Sequence, residues 1–311
     1  MKIVFFGTPE FAVASLDRLV EDGHDIAAVV TMPDKIAGRG HKLIQSDVKK
    51  YALEKGLRVL QPEKLRNPDF IDELKAINAD LFVVIAFRML PEIVWAMPPK
   101  GTFNLHGSLL PKYRGAAPIN RAIMNGETET GVTTFFLTHE IDTGDIIDAR
   151  SISIAPDENA GSVHDRLMIL GADMVSETVK ALEKDAVTPK SQPAGEFTPA
   201  PKIFREDCII DWNRPAAEIH NQVRGLSPYP AACATIVERS GRPIEAKILA
   251  TKIIDMDCDS TAPGTINYEN RHLCVATGDY WIEILTLQPA GKRPMPATDF
   301  LLGYHPAFFK N

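Results

Sequence analysis

The sequence predicts an α/β fold: a Rossmann-like, doubly wound, mostly parallel sheet, followed by a second domain that is a small β-barrel or sandwich. Over residues 1–188, short apolar runs alternate with segments of helical period in units of about 30 residues, which is typical of parallel βαβ folds. Beyond residue 204, short strand-like runs recur about every ten residues between turn residues, which is typical of small all-β domains.

The first domain is expected to alternate strands and helices in order. Strands are predicted at 2–6, 25–31, 58–60, 81–85, 102–105 and 132–137, and helices at 10–22, 47–55, 70–77 and 162–182. Thr8 is predicted to cap the first helix, with Pro9 in its first turn, and Ser46 to cap the second. Because 81–85 is an unbroken apolar run, it predicts a strand buried on both faces.

A proline-rich stretch predicts the domain boundary. Four prolines lie in the thirteen residues 189–201, and such a segment is expected to cross the surface as a linker. We therefore divide the chain into a catalytic domain (1–188), a linker (189–203) and a C-terminal domain (204–311). In the last of these, a helix is predicted at 215–224 and strands at 232–237, 246–254, 273–276 and 281–287.

The composition excludes several classes of protein. The four cysteines form no C-x-x-C pair, so neither a zinc site nor a disulfide framework is expected, and a reducing, cytoplasmic setting fits best. No apolar stretch approaches the ~20 residues of a membrane span. Gly7 stands alone after the first strand, so the G-x-G-x-x-G fingerprint of dinucleotide-binding proteins is absent.

Charge is distributed unevenly. The net charge of −7 argues against a general nucleic-acid binder, but residues 32–66 carry nine Lys/Arg against four Asp/Glu. Local potential rather than net charge decides where a polyanion docks, although a solvated basic face is the simpler interpretation. Residues 205–311 carry eleven basic and thirteen acidic side chains, so a polyanion would need a local patch there. Candidates for that patch are Arg224, Lys247, Lys292 and Arg293.

Asn104 and His106 are the most informative residues. They lie two apart at the end of a predicted strand, so their side chains face the same side. An amide can stabilise a developing oxyanion, and a histidine can exchange protons at neutral pH. The pair therefore indicates acyl chemistry without a Ser or Cys nucleophile, and the sequence around Ser108 lacks the G-x-S-x-G elbow.

Asp142 is a third candidate, in an Asp-Thr-Gly turn after the strand at 132–137. A carboxylate near His106 would favour the charged imidazole and fix its tautomer. A single histidine at a strand end is more often structural, and Asp-Thr-Gly is commonly only a turn. The combination of the three residues is far less expected by chance than any one of them.

These motifs resemble those of the folate-dependent formyltransferases. The resemblance lies in Asn104-x-His106-x-Ser108-Leu109-Leu110-Pro111, Arg114-Gly115 and Asp142-x-Gly144, and it extends over nearly the whole chain. Within that family, the first turn (7–11), the loop 37–43 and the segment 287–292 are similar to those of members that act on a charged initiator tRNA. The resemblance implies transfer of the formyl group of 10-formyltetrahydrofolate to the α-amino group of methionine on that tRNA, for translation initiation.

The resemblance also implies roles for individual residues. Asn104, His106 and Asp142 would be catalytic. Folate would be bound by residues of two loops: Ser108, Leu109, Leu110, Pro111, Phe87 and Leu90. Arg39 and Lys42 would contact the tRNA, helped by an OB-like C-terminal domain. No metal site is expected, since His106 lacks His or Cys partners at ligand spacing, and we expect a monomer without membrane attachment.

Three stretches depart from the family pattern, and three other functions stay open. Phe87-Arg88 replace the residues usual before the folate-contacting segment, and His139-Glu140 replace those usual before the catalytic turn. In the tRNA loop, Ile36 and His41 replace a proline and a basic residue. One alternative is a formyltransferase for a small amine, such as a nucleotide sugar or glycinamide ribonucleotide. The second is a hydrolase that releases formate from the same folate, and the third is an RNA-binding module on an inactive α/β domain.

Overall fold

A computed structural model describes residues 1–37, 42–193, 195, 197–258, 260–268 and 271–310. The chain forms two compact units. The first unit comprises Met1–Gly115, Gly131–Ile152 and His164–Pro199, and the second comprises Ala116–Thr130, Ser153–Val163 and Ala200–Asn311. Two short segments from before the proline-rich stretch thus belong to the second unit. The boundaries placed at residues 188 and 203 stay a prediction.

The helices and strands have the following bounds. The strands up to residue 153 are β1 (Lys2–Gly7), β2 (Asp25–Val30), β3 (Lys35–Ala37), β4 (Lys42–Ile44), β5 (Val59–Leu60), β6 (Leu81–Ile85), β7 (Thr102–His106), β8 (Arg114–Gly115), β9 (Glu129–Phe136) and β10 (Ile146–Ser153). The helices up to residue 183 are α1 (Glu10–Glu21), α2 (Asp47–Glu54), α3 (Pro68–Ile77), α4 (Glu92–Trp95), α5 (Pro118–Met124) and α6 (Ala160–Glu183).

A seven-stranded sheet forms the centre of the first unit. Its order is β10-β9-β7-β6-β1-β2-β5. The five strands from β5 to β7 pair in parallel, whereas β9 pairs antiparallel with β7. The predicted mostly parallel, doubly wound sheet is confirmed. Because β1 connects onward to β2 on one side and β6 lies on its other side, the strand order changes direction there, where open α/β sheets usually bind ligands.

The close packing of α6 on β7 depends on a glycine. A Cβ at Gly171 of α6 would lie only 2.6 Å from Leu105 Cδ2 of β7. Leu105 is buried, and it stands between Asn104 and His106 in the sequence. Because side chains alternate along a strand, Leu105 faces α6 and its two polar neighbours face the opposite side of the sheet. This contact fixes the strand that carries the candidate site.

The prediction that Thr8 caps α1 is wrong. The N-cap of α1 is Pro9, and no side chain caps it. The Pro9 carbonyl accepts the first turn's hydrogen bond from the Ala12 amide, at 3.0 Å, and the Thr8 hydroxyl is buried without a partner among the described residues. In contrast, the Ser46 cap of α2 is confirmed, because its side chain accepts a hydrogen bond from the Lys49 amide.

A nearly closed antiparallel barrel forms most of the second unit. The strands after residue 198 are β11 (Pro199–Ala200), β12 (Ala232–Glu238), β13 (Pro243–Asp257), β14 (Ile266–Asn267), β15 (Leu273–Ala276), β16 (Tyr280–Pro289), β17 (Met295–Pro296) and β18 (Pro306–Lys310), and the helices are α7 (Ala216–Leu226) and α8 (Ala297–Gly303). The sheet order is β14-β15-β16-β13-β12-β18. The Phe309 amide donates to the Gly264 carbonyl at 2.8 Å, which brings the two ends of the sheet together.

The barrel core is built from large apolar side chains. Trp212, Phe300 and Phe309 are fully or almost fully buried there, and the Trp212 and Phe309 rings lie 4.7 Å apart. The predicted C-terminal barrel is confirmed. No helix formed by the described residues is long and apolar enough to cross a membrane.

Asp22 joins the end of α1 to α6 in the first unit, and we predict that Asp22→Asn destabilises the protein. Lys180 Nζ donates to its carboxylate at 2.8 Å, and the Ser176 hydroxyl donates to the same oxygen. These bonds lower the pKa of Asp22 from 3.8 to about 2. Since Lys180 is half exposed and solvent screens it, the loss should be about 1–2 kcal/mol at pH 7 in urea unfolding.

The pH dependence distinguishes this account from a loss of packing. Because the folded-state pKa lies below the unfolded one, the stabilisation is present above pH 4 and is lost as the pH falls toward 2. The difference between Asp22→Asn and the unchanged protein should therefore shrink from pH 7 to pH 3. An equal difference at both values would contradict the account. Asp72→Asn, at an exposed ion pair with Lys75, is the control and should cost less than about 0.5 kcal/mol.

Candidate active site

The carboxyl end of β7 carries the two central polar residues. His106 is 6% exposed, and Asn104 is partly buried two residues before it on the same face. The Asn104 side-chain oxygen is buried and has no hydrogen-bond partner among the described residues. Since buried polar atoms are nearly always paired, this oxygen is an acceptor that an N–H or O–H group of a ligand can satisfy.

The orientation of the His106 ring is set by a backbone carbonyl. His106 Nε2 lies 2.8 Å from the Tyr113 carbonyl oxygen. A carbonyl only accepts hydrogen bonds, so Nε2 carries the proton in this contact. The ring edge also packs against Phe135, with the centroids 6.4 Å apart. Consequently the other ring nitrogen, Nδ1, is the one left to accept or donate a proton.

Asp142 lies on the Nδ1 side of that ring. Its Oδ2 is 3.7 Å from His106 Nδ1, which is too long for a hydrogen bond but places the carboxylate beside that ring nitrogen. The same oxygen accepts a hydrogen bond from the Gly115 amide at 2.9 Å. Both side chains are largely shielded from solvent, which strengthens their interaction. The structure thus brings Asn104, His106 and Asp142 together in the first unit.

The turn that presents Asp142 requires its own sequence. Asp142 has a φ of 54°, in the left-handed region that Asp and Asn tolerate better than most residues. A Cβ at Gly144 would lie 1.7 Å from the Phe136 carbonyl oxygen, so only glycine fits there. The Asp-Thr-Gly sequence is therefore needed for the backbone as well as for the carboxylate.

The loop after His106 is held by side-chain hydrogen bonds. The buried Ser108 hydroxyl donates to the Lys112 carbonyl at 2.6 Å, so it is committed to the loop rather than exposed as a nucleophile. Thr133 Oγ1 donates to the Ser108 carbonyl and accepts from the Leu110 amide. Leu110 is buried, and Leu109 and Pro111 are partly buried. A Cβ at Gly131 would lie 2.5 Å from Leu109 Cδ2, so the loop lies tightly against β9.

The loop after β6 contains the other residues expected to bind folate. Phe87 is partly buried and packs on Phe6 with ring centroids 5.8 Å apart. Leu90 is buried in the same apolar cluster, so its side chain helps to fix the loop against the core. Arg88 donates to the carbonyls of Pro62 and Glu63 and lies over the Phe87 ring. Its burial lowers the pKa of its guanidinium, and its two carbonyl bonds fix this loop.

The predicted tRNA loop is only partly described. Arg39 lies outside the described residues, and so does the Lys42 side chain. The flanking strands β3 and β4 pair as an antiparallel hairpin, which the sequence did not predict. Four cations of the basic segment are neutralised by ion pairs: Lys49 with Asp34, Lys50 with Asp47, Lys55 with Asp17 and Arg58 with Glu73. Asp34 and Asp47 are already counted in the charge balance of 32–66, so the two partners from outside the segment, Asp17 and Glu73, are the ones that lower its positive charge further.

Three further groups at the site were not predicted from the sequence. They are the Tyr113 carbonyl, the Gly115 amide and the side chain of Gln192, which donates to the carbonyls of Asp142 and Gly144. Two are backbone groups, which carry no residue-type signal. Across the part of the chain that the structure describes, no group of three or more His, Cys, Asp or Glu side chains is placed to hold a metal ion.

Comparison with known proteins adds relatives of full length. A protein from Bacteroides thetaiotaomicron named methionyl-tRNA formyltransferase is 50% identical over 98% of this chain and 96% of its own length. One of the same name from Porphyromonas gingivalis is 48% identical, with the same coverage. An N-formyltransferase from Helicobacter canadensis, solved with folinic acid and dTDP-3-aminofucose, shares the fold with a TM-score of 0.64 at 19% identity, over 93% of this chain and 99% of its own.

Two family models match the two parts of the chain. The model described as formyl transferase matches residues 1–179, and the model described as formyl transferase, C-terminal domain, matches residues 202–305. Together they cover most of the sequence, including Asn104, His106 and Asp142. The chain belongs to the formyl transferase family.

Proposed function

We propose that this chain transfers the formyl group of 10-formyltetrahydrofolate to the α-amino group of methionine on initiator tRNA. The observation that carries the chemistry is the position of His106 Nδ1, 3.7 Å from Asp142 Oδ2, on a strand whose same face presents Asn104. The Asn104 side-chain oxygen has no partner among the described residues and can accept a hydrogen bond from the attacking amine, which leaves the NH₂ group of the amide for the oxyanion. The observation that favours a charged tRNA as acceptor is the ~50% identity, over nearly full length, to relatives named methionyl-tRNA formyltransferase.

The reaction needs no covalent enzyme intermediate. The amine nitrogen forms a bond to the formyl carbon, and the carbonyl oxygen becomes an oxyanion. The bond from that carbon to N10 of the folate then breaks, and the proton lost by the amine goes to N10. Asn104 and protonated His106 stabilise the oxyanion, and Asp142 stabilises the imidazolium, alone or through a water that relays the proton.

The folate is expected along the two loops that flank the site. Ser108, Leu109, Leu110 and Pro111 form one loop, and Phe87 and Leu90 belong to the other. The hydrogen bonds of Thr133 and Arg88 keep these loops in place before a ligand arrives. A preformed loop is expected to bind with less loss of conformational entropy.

A groove on the barrel is suited to the tRNA. It has a volume of about 550 Å³, and its charged lining residues are three cations, Arg205, Lys247 and Lys310, and one acid, Glu245. Within the described part of the chain, none of these cations is within 4.0 Å of a carboxylate. Tyr229 is 80% exposed, and its ring centroid lies 5.9 Å from Lys247 Nζ. Unpaired cations beside an exposed aromatic ring are typical of surfaces that bind phosphates and stack a base.

Arg224, which the sequence suggested as a contact for a polyanion, has a structural role instead. Arg224 is buried in α7 and donates to the Asn221 side chain and the Glu158 carbonyl, so it is not available to tRNA. The role of Lys42, the monomeric state and the cytoplasmic location stay predictions.

One assay separates this function from its rivals. Labelled 10-formyltetrahydrofolate is incubated with the protein and charged initiator tRNA, uncharged tRNA, a nucleotide-linked amino sugar, or buffer alone. Label transferred only to the charged tRNA supports the proposal. Transfer to the sugar would indicate a formyltransferase for a small amine. Release of formate in buffer alone would indicate the hydrolase. No reaction under any condition would indicate the binding module.

We predict that Asn104→Ala and His106→Ala each lower kcat by on the order of a hundredfold or more, because each removes stabilisation of the oxyanion. Steady-state kinetics with charged tRNA measures this, and circular dichroism checks folding. His305→Asn changes an exposed histidine in the second unit and should leave kcat unchanged. Near-normal turnover in both folded site variants would rule out these roles.

Arg39→Ala should raise the KM for charged tRNA several-fold and leave folate affinity unchanged, because an arginine between two glycines can pair with a phosphate. Filter binding and equilibrium dialysis measure the two affinities separately. Arg58→Ala, which removes an arginine paired with Glu73, is the matched control. An unchanged KM for tRNA in Arg39→Ala would exclude the loop from recognition.

Lys247→Ala and Tyr229→Ala should each weaken tRNA binding, by about 1 kcal/mol or more for loss of a stacked base. In Lys247→Ala the salt dependence should also become shallower, because one phosphate contact is lost. Lys252→Ala, an exposed lysine on the same strand β13, is the control and should bind normally. Equal affinities for all four proteins would place the tRNA elsewhere.

A further inference from the structure

We propose that Gln192 is a positioning residue that holds the Asp142 turn in place, an inference that rests on the proposed function of Asp142. Gln192 lies in the stretch that the sequence marks as a linker. Its Nε2 donates to the Asp142 carbonyl at 2.8 Å and to the Gly144 carbonyl at 2.9 Å. Its Oε1 accepts from Arg114 Nε at 3.1 Å and from a terminal guanidinium nitrogen at 2.5 Å.

The contacts of the Gln192 amide leave only one orientation. Reversing the amide would place its oxygen against two carbonyl oxygens and its NH₂ group against a guanidinium, which has only donors. All four hydrogen bonds would then be lost. Both donors and both acceptor lone pairs of the side chain are used, so no shorter or apolar residue can replace it fully.

These hydrogen bonds form a closed ring of contacts around the Asp142 carboxylate. Arg114 is bound by Gln192, the adjacent Gly115 amide donates to Asp142 Oδ2, and Gln192 returns to the Asp142 backbone. The backbone and the carboxylate of Asp142 are thus tied to the same pair of segments. This matters because Asp142 has a positive φ and its Oδ2 must stay near His106 Nδ1.

The segment after Gln192 strengthens the arrangement. The Arg114 amide donates to the Thr198 carbonyl at 3.1 Å, and the Arg114 guanidinium lies 5.0 Å from the centre of the Phe197 ring. Arg114 is therefore held by three residues: Gln192, Phe197 and Thr198. All of these residues belong to the first unit, as does the rest of His164–Pro199.

Gln192→Glu and Gln192→Ala test the proposal. Glutamate keeps an acceptor for Arg114 but places a carboxylate against the two carbonyls, so it removes the contacts to Asp142 and Gly144 specifically. Each variant should lower kcat by on the order of tenfold to a hundredfold, as expected for a small displacement of a catalytic group. The KM values for both substrates and the melting temperature should stay nearly unchanged. Ser191→Ala, at the exposed neighbouring residue, is the control.

Amide hydrogen exchange gives a readout that does not depend on activity. Peptides spanning 113–117 and 138–145 should exchange faster in Gln192→Ala, with other peptides unchanged. If exchange in these peptides is unaltered, Gln192 does not hold the Asp142 turn, and the proposal is overturned whatever the kcat of the variant. If exchange accelerates but kcat is normal, the positioning role is overturned. A global loss of stability with equal changes in kcat and KM would also contradict it. Lack of transfer to charged tRNA by the unchanged protein would instead refute the proposed function.

Discussion

The hydrogen bond from His106 Nε2 to the Tyr113 carbonyl is the interaction on which the candidate site depends. It commits one ring nitrogen to the backbone, and it leaves Nδ1 as the nitrogen that can exchange a proton beside Asp142. If the ring were flipped about its Cβ–Cγ bond, ring carbons would take the places of both nitrogens, so Asp142 would face Cδ2 and the Tyr113 carbonyl would lose its donor. The positions of Asn104 and of the Asp142 turn have catalytic meaning only with this orientation of the ring.

Two packed glycines support that interaction. Gly171 allows α6 to press on Leu105, which fixes β7, and Gly144 allows the Asp142 turn to lie against the Phe136 carbonyl. The strand and the turn are therefore positioned by contacts that admit no side chain. The site depends on backbone approach as much as on its polar residues, which is why a substitution outside the catalytic groups can affect the rate.

The sequence predicts three features correctly, because each follows from a periodicity of two or of 3.6 residues. They are the mostly parallel sheet of the first unit, the barrel, and the common face of Asn104 and His106. The strand β10 could not be predicted, because its sequence mixes polar and apolar residues as a loop does. The strands β3 and β4 could not be predicted because each has only three residues, which is too short to show a periodicity. Thr8 failed as a cap because the next residue, a proline, took the N-cap position. Gln192 could not be predicted at all, since its partners lie about 50 and 78 residues away in sequence.

The protonation state of the His106 ring tests the account most directly. In protein labelled with ¹⁵N-histidine, the His106 resonances can be identified as those missing from His106→Asn. The account predicts that, in its neutral form, this ring carries its proton on Nε2, with an unprotonated Nδ1. A ring protonated on Nδ1, or an average of the two tautomers, would show that the Tyr113 carbonyl does not orient it and would contradict the proposed geometry.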